Sequence, residues 1–385
     1  MRIGIDASNL RQGGGRTHLV QMLTSSSPSA QGVSTVVVFG SQATLDLLPA
    51  HDWLLKVRCR EVEAGMPRRT LWQAVGLSQE LRKHRCELLL APGGNVLTNF
   101  SPTVTMCRNM LPFSPAERAR YGLSLTHARL LALRHSQERT IKRCDGVIFL
   151  TEFARREVLA VTGPIRGRVA VIPHGVELPA EQAALPTASA GDSGANPIRV
   201  LYVSIVDVYK HQWMAVEAIS RLRDSTGLPV QLRLVGPAYP PSLRKLTRSI
   251  ESLDPAGSWA RYAGPRTSAQ LRDEYAGADV GLFVSSCENM PNILLEMMAA
   301  GLPIVSSSRG PMPEVLGDAG VYCDPEDPDS IAEQLGILLR DSALRTLLGI
   351  RARTAAAGFR WDRCAEATFG FLREVAKTAR TAGAC

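Results

Sequence analysis

Short apolar runs alternate with stretches whose apolar residues recur at helical spacing along almost the whole chain. In the first half, residues 2–5, 33–39, 54–59, 86–90, 103–107, 146–150 and 169–172 predict strands, with helices between most of them, notably over 70–85 and 123–142. From 178 to 197 the pattern dissolves into Ala, Pro, Ser and Gly, the composition of a linker or a mobile loop. The alternation then resumes. Residues 199–203, 230–235, 259–262, 280–284 and 303–305 predict strands; 212–223, 242–252, 268–275, 291–300 and 330–339 predict helices, and 361–378 a last amphipathic helix. Apolar strands separated by helices indicate parallel sheets covered on both faces. The expected fold is α/β, with two doubly wound, Rossmann-like domains of similar size facing one another across a cleft. Their expected bounds are 1–177 and 198–360, joined by the linker at 178–197 and followed by a terminal helix at 361–385.

Composition narrows the classes. A chain of 385 residues with 45% hydrophobic and 21% charged residues can bury a large core, which excludes a disordered, collagen-like or small disulfide-stapled protein. The eight cysteines include no CxxC pair and several lie in apolar runs, so they predict reduced thiols, a cytoplasmic setting and no metal framework. Asp6 interrupts any signal-peptide core, and no uncharged apolar run nears the roughly 18 residues of a membrane span. Contact with a membrane is therefore expected only from the surface. The net charge of +8 is uneven: residues 108–168 hold 12 basic against 5 acidic side chains. Such an excess suits a phosphate-rich partner, whether nucleic acid, anionic lipid head groups or a nucleotide, and equally suits a solvated helix face.

Ligands of open α/β sheets sit beyond the carboxyl ends of the strands, so the loops after strands carry the candidate chemistry. After the first strand, Gly13-Gly14-Gly15 precedes a helix predicted to start near Thr17, where backbone can approach a phosphate or sugar closely; a plain flexible turn is the alternative. It is not a dinucleotide fingerprint. The sixth position is His18, and no acidic residue lies between Asp6 and Asp46 to hold a ribose. The more informative segment runs from 285 to 303. A strand ends in small residues, a polar loop carries Glu288, Pro291 suits the first turn of a helix, and Gly301 and Pro303 end that helix. Free N–H groups around Asn289, Met290, Pro291 and Asn292 would form a concave anion site backed by the helix dipole. Glu288 stands at the loop mouth and Glu296 about one and a half turns into the helix, leaving a carboxylate for sugar hydroxyls on either side of a diphosphate. Taken alone, Glu296 reads as an ordinary solvated helix residue.

These residues resemble a known family. Glu288 and Glu296, separated by Asn-Met-Pro-Asn-Ile-Leu-Leu and followed by Met-Met-Ala-Ala-Gly-Leu-Pro-Ile-Val-Ser-Ser, are similar to the E-x7-E signature of the family-4 glycosyltransferases (glycosyl transferases group 1), which have the two-domain GT-B fold. Gly4-Ile5-Asp6 with Gly13-Gly14-Gly15 resembles that family's first strand and glycine loop. Val171-Ile172-Pro173-His174-Gly175-Val176 resembles the segment closing its first domain, where Asn is more usual than His174. Lys210 stands where the family keeps a phosphate-binding lysine, Tyr262-Ala263-Gly264 resembles the turn beside the nucleotide base, and Phe359-Arg360-Trp361 resembles the element returning to the first domain.

The resemblance implies retaining, metal-independent transfer of a hexose, mannose being common, from a nucleotide-diphosphate sugar to a hydroxyl of a glycan or lipid-linked acceptor, in bacterial surface polysaccharide or lipopolysaccharide synthesis. It implies an acceptor-side first domain and a donor-binding second domain. Lys210 and Glu288 would be catalytic, the lysine stabilising the departing diphosphate and the glutamate the positive charge at the anomeric carbon. Donor contacts would come from Gly14, Gly15, Asn289, Met290, Pro291, Asn292 and Glu296, the last on the ribose. No metal or other cofactor is implied. The basic 108–168 region would rest on the inner face of an anionic plasma membrane, and nucleic acid is not an expected partner. Two departures stand out. Ile205 replaces an arginine the family commonly has, with Arg266 a candidate substitute. Arg108 and Asn109 follow a strand where many relatives place a histidine, with substrate contact and a structural role both open. His174 reads as a packed turn residue, and His18 and His211 read either way. Rival readings are a nucleotide-sugar epimerase of the same fold or a non-enzymatic sugar-binding protein; a phosphorylase would need a pyridoxal-phosphate lysine motif that the chain lacks.

Overall fold

The computed structural model describes residues 1–11, 13–178 and 197–382. Its first sheet has the order β3-β2-β1-β4-β5-β6-β7, built from β1 (Arg2–Asp6), β2 (Thr35–Gly40), β3 (Leu54–Arg58), β4 (Leu88–Ala91), β5 (Thr103–Met106), β6 (Gly146–Phe149) and β7 (Arg168–Val171). Its second has the order β10-β9-β8-β11-β12-β13, built from β8 (Ile198–Val203), β9 (Val230–Val235), β10 (Ala260–Tyr262), β11 (Val280–Phe283), β12 (Ile304–Ser307) and β13 (Val321–Cys323). Paired strands run parallel in both. The chain divides into two compact units. One comprises Met1–Arg118, Leu123–Gly175 and Arg360–Cys385; the other comprises Ala119–Gly122 and Val176–Phe359. The expected linker at 178–197 lies, over 179–196, outside the described residues.

Composition explains strand position. β4 reads Leu-Leu-Leu-Ala and is buried throughout, because helices cover both faces of a central parallel strand and leave no side for a polar group. Edge strands β3 and β7 relax this and expose Leu55 and Val169. Register aligns Ile5 of β1 with Val38 of β2 and Leu90 of β4 in one buried layer.

Several elements differ from the sequence expectation. β13 was not expected: it is three residues long with one buried side chain, too little apolar signal to stand out. Ser342–Ala356 is also an unexpected helix, started by Asp341, whose carboxylate accepts from Leu344 N–H at 2.8 Å. The helix expected over 70–85 is instead two α-helical pieces, Met66–Leu71 and Leu77–Lys83, joined by a wider turn at Trp72–Gly76. Gly76 permits that turn, since a Cβ there would sit 2.6 Å from the Trp72 ring. Trp72 and Gln73 are thereby buried, and Gln73 Nε2 donates to Ser8 Oγ at 2.7 Å and to Asp6 Oδ2 at 3.2 Å.

Among the described residues no helix is long and apolar enough to cross a membrane, and the seven described cysteines are buried thiols. Chain order reverses between β1 and β4 in the first sheet and between β8 and β11 in the second. Crossovers on the two sides of such a point cover opposite faces, which opens a crevice at the carboxyl ends of those strands. The candidate residues fall in the loops after β1, β8 and β11.

Candidate functional site

In the second unit, Lys210 and Glu288 follow the neighbouring strands β8 and β11. The two loops are stitched together: Ser286 N–H donates to the Tyr209 carbonyl at 2.9 Å, and Ser286 Oγ lies 2.8 Å from His211 Nε2. His211 has φ 52°, a left-handed conformation uncommon outside glycine, and starts the helix Gln212–Thr226. Burial pushes its imidazole down to about 4, with the Arg120 charge adding to the effect, so at neutral pH it acts as an uncharged strut. The Lys210 side chain is 7% exposed and that of Glu288 is 15% exposed. Lys210 Nζ pairs with Glu288 Oε1, and it lies 5.1 Å from the ring centroids of both Tyr209 and Phe283. A buried ammonium requires a counter-charge, and here a carboxylate and two aromatic faces supply it.

Asn289 and Met290 continue the loop and are buried. Pro291, expected inside the helix, is its N-cap instead, with φ −80° and ψ 104°. Its ring fixes φ and its extended ψ directs the chain into the helix Asn292–Ala299. The first intrahelical bond is Leu295 N–H to the Pro291 carbonyl at 3.3 Å, so the amides of Asn292, Ile293 and Leu294 precede the ladder at the positive end of the dipole. Gly310, at φ 67°, comes close beneath this loop; a Cβ there would lie 3.9 Å from the Glu288 nitrogen.

Glu296 is not a solvated helix residue. It is half-buried, and its Oε2 accepts from the Tyr275 hydroxyl at 2.7 Å. Burial raises its pKa above the ordinary carboxylate range, with the Tyr275 hydrogen bond opposing that rise. Each carboxylate is thus held, one by a lysine and one by a tyrosine, on opposite sides in sequence of the turn that leads into the helix-start amides of Asn292, Ile293 and Leu294.

Ile205, after β8, is 37% exposed and brings no charge. Arg266, the candidate substitute for the missing cation, is turned to a carboxylate. Its Nε donates to Glu274 Oε1 at 3.2 Å, on a carboxylate that also takes two hydrogen bonds from Arg233, at 2.9 and 2.8 Å. The Tyr262–Gly264 turn is tied to the loop after β9: Tyr262 O–H donates to the Gly236 carbonyl at 2.7 Å, and Gly236 N–H donates to the Gly264 carbonyl at 3.0 Å.

Gly14 and Gly15 belong to the first unit. Gly13, at φ 69° and ψ −166°, caps a helix that starts at Gly14 and runs to Thr24, three residues before the expected start at Thr17. Only glycine adopts that backbone readily, which overrides the poor helix propensity of the two glycines behind it. Arg108 supports the turn by donating to the Gly14 carbonyl at 2.8 Å and to the Gly15 carbonyl at 3.5 Å. Asn109 Oδ1 accepts from Leu111 N–H at 3.1 Å and shapes the following turn. His18 and His174 are both buried, with their Nδ1 atoms 2.7 Å apart and the Trp361 ring 5.5 and 5.9 Å away. Burial drives both imidazoles well below their ordinary range, and the Arg108 charge lowers them further. Tyr275, Tyr209 and Gly310 escaped the sequence reading. Tyr209 adjoins Lys210 and was findable, whereas Tyr275 reaches Glu296 across 21 positions with no local signal.

Residues 13–179 match the family model described as Glycosyltransferase Family 4, and residues 197–341 match the model of Glycosyl transferases group 1. The chain is 31% identical over 260 residues to a D-inositol 3-phosphate glycosyltransferase of Kineococcus radiotolerans, a match covering 62% of this chain and 59% of that protein. It is 34% identical over 110 residues to O-antigen chain mannosyltransferase B of Escherichia coli, covering 29% of each. The matched region thus spans less than two thirds of either relative. Among solved structures, the sucrose-phosphate synthase of Thermosynechococcus elongatus shares the fold with a TM-score of 0.74 at 18% identity, over 97% of this chain and 99% of that one.

Proposed function

The chain belongs to the family-4 glycosyltransferases (glycosyl transferases group 1), and from that membership we propose that it moves a hexose from a nucleotide-diphosphate sugar to a hydroxyl acceptor, with retention at the anomeric carbon. One observation carries the reading: a nearly buried Lys210–Glu288 pair at the β8/β11 reversal, beside the amide-rich start of a helix that also carries the Tyr275-held Glu296. A diphosphate has the charge to displace Glu288 from Lys210 and to accept from the amides near 289–294. Glu288 is then free to face the sugar, where its charge offsets the positive charge that develops at the anomeric carbon. Lys210 stabilises the diphosphate as it takes the bonding electron pair. Glu296 accepts from the ribose hydroxyls, a role suited to a carboxylate already desolvated. Lysine and backbone dipoles together offset the diphosphate charge, so the reaction needs no metal. In the first unit, the Gly14–Gly15 turn has a backbone that suits close approach of a phosphate or a sugar.

The acceptor in this reading is a glycan or lipid-linked sugar of a bacterial surface polysaccharide or lipopolysaccharide, presented at the inner membrane face. The O-antigen mannosyltransferase relative and the basic 108–168 region favour it. The test is sugar transfer by purified Lys210→Ala and Glu296→Ala against a panel of nucleotide sugars. Both variants are expected to stay folded and lose transfer; full activity in both would overturn the assignment.

A further inference from the structure

A doubly wound sheet buries both faces under helices, so its interior strands carry few charges. The amino ends of β8 and β9, both interior strands, depart from that rule. Register sets Arg199 of β8 beside Gln231 of β9, and Arg233 of β9 beside Arg261 of β10, so all four side chains share one face of the sheet. Val200, Leu232 and Ala260 take the other face and are buried. The helix Ser268–Ala276 approaches the charged face without closing on it. Between its last turn and the strands lies a cavity of about 420 Å³, floored by those four residues and walled by Asp273, Glu274 and Gly277. That volume is in the range of small-molecule sites. Arg199 stands near the amino end of β8 and Lys210 beyond its carboxyl end, so this cavity is separate from the candidate functional site.

The guanidiniums of the cavity are unequally engaged. Arg233 gives two hydrogen bonds, at 2.9 and 2.8 Å, to Glu274, which also accepts from Arg266 at 3.2 Å. Arg199 reaches Asp279 through Nε alone, at 3.4 Å, on an oxygen that already accepts from the Arg199 backbone N–H at 2.8 Å. Its Nη1 lies toward Gly277, 3.6 Å from where a Cβ would stand. Arg261 is exposed and meets no carboxylate among the described residues. Two guanidiniums with free donors therefore face one space. Such planar forks bind phosphate oxygens in pairs, and two of them match the near-dianionic charge of a phosphate monoester at neutral pH. Around them Gln231, Ser258 and Asp273 are exposed, an amide, a hydroxyl and a carboxylate that suit the hydroxyls of a sugar. Trp259, the one aromatic residue of the lining, is nearly buried with Arg223 5.5 Å over its ring, so it offers no open face for a nucleotide base.

We propose that this cavity binds a sugar phosphate, with the phosphate on Arg199 and Arg261 and the sugar hydroxyls on Gln231, Ser258 and Asp273. The site goes beyond the transfer reaction, whose donor and acceptor make no use of it. The helix that walls the cavity also holds Tyr275 against Glu296 at 2.7 Å, so the cavity and the donor-site carboxylate share one element.

The experiment is isothermal titration calorimetry of the full chain with the 1- and 6-phosphates of glucose and mannose, the two free sugars and inorganic phosphate. Donor and acceptor are left out, so the outcome is separate from any result on sugar transfer. The wild type is expected to bind at least one sugar phosphate saturably, inorganic phosphate at least about tenfold more weakly, and the free sugars not measurably. Arg199→Gln/Arg261→Gln should weaken the sugar phosphate at least about tenfold per arginine. Gln231→Trp, at an exposed strand position that suits an aromatic side chain, should fill the cavity and abolish binding with no change of charge. Lys210→Ala should bind the sugar phosphate as the wild type does. Arg199, Gln231 and Arg261 are all exposed, so circular dichroism and melting of their variants should not change. Binding lost in Lys210→Ala and kept in the arginine variant would put the ligand in the candidate functional site and overturn the proposal. No saturable binding by the wild type, equal affinity for inorganic phosphate or a free sugar, or undiminished binding by Gln231→Trp would overturn it as well.

Discussion

Removing one member of the Lys210–Glu288 pair strands a charge that water scarcely reaches, and the size of the effect follows from how each side chain is enclosed. In Glu288→Gln the ammonium remains at 7% exposure with two aromatic faces but no anion; in Lys210→Met the carboxylate remains at 15% exposure with no cation. Breaking a buried pair from one side costs roughly 3–5 kcal/mol, and the partial exposure of Glu288 places each single variant near about 3 kcal/mol. The double variant Lys210→Met/Glu288→Gln strands no charge, so it should cost less than either single variant and fall far short of the sum of about 6 kcal/mol. Urea unfolding of the four proteins, followed by tryptophan fluorescence, measures the cycle; Trp213 and Trp259 report on the same unit. Additive single effects, or single costs below about 1 kcal/mol, would show a pair screened like a surface ion pair and would refute the picture of an enclosed cation awaiting an anion.

Three further outcomes are expected. Glu296→Gln removes a carboxylate whose pKa burial raises, so its ionised form is disfavoured in the fold above the unfolded value. The variant should be at least as stable as wild type at neutral pH yet lose the melting-temperature rise given by the true nucleotide sugar, and a retained rise would remove Glu296 from the site. His211 has a folded pKa pushed down to about 4, so its contribution is complete above pH 6.5 and declines as pH falls and the unfolded chain takes up the proton. Between pH 7.5 and 5.5 wild type should lose about 1.4 kcal/mol more than His211→Asn, whose side chain tolerates the left-handed backbone and does not titrate; parallel pH curves would contradict this. Arg108→Met should cost roughly 1–3 kcal/mol by freeing the Gly14 and Gly15 carbonyls, with partial recovery in Arg108→Lys, and an unchanged melting point would deny Arg108 its hold on the turn.

Much of this was legible because parallel sheets write themselves into sequence as apolar runs. Leu88–Ala91 and Val280–Phe283 are buried on both faces and read as strands from composition alone. Glu288, Asn289 and Glu296 were legible for a different reason: they share one loop and one helix, so spacing along the chain is also spacing in the fold. Contacts that join distant segments left no such trace. Tyr275 reaches Glu296 from another helix, and Arg108 reaches Gly14 across 94 positions. The early helix start at Gly14 was hidden because propensity disfavours glycine there, whereas the positive φ of Gly13 decides the matter. Arg266 looked available as a cation in sequence because the carboxylate that claims it, Glu274, gives no sign of facing it until the helix Ser268–Ala276 is folded.

The most direct measurement is a crystal structure with the nucleoside diphosphate that raises the melting temperature most. The diphosphate should lie on the amides around 289–294 with Lys210 Nζ on its oxygens, Glu296 on the ribose, and the Glu288 carboxylate released toward the sugar side. A diphosphate bound elsewhere, or one that leaves the Lys210–Glu288 pair intact and Glu296 untouched, would contradict the site.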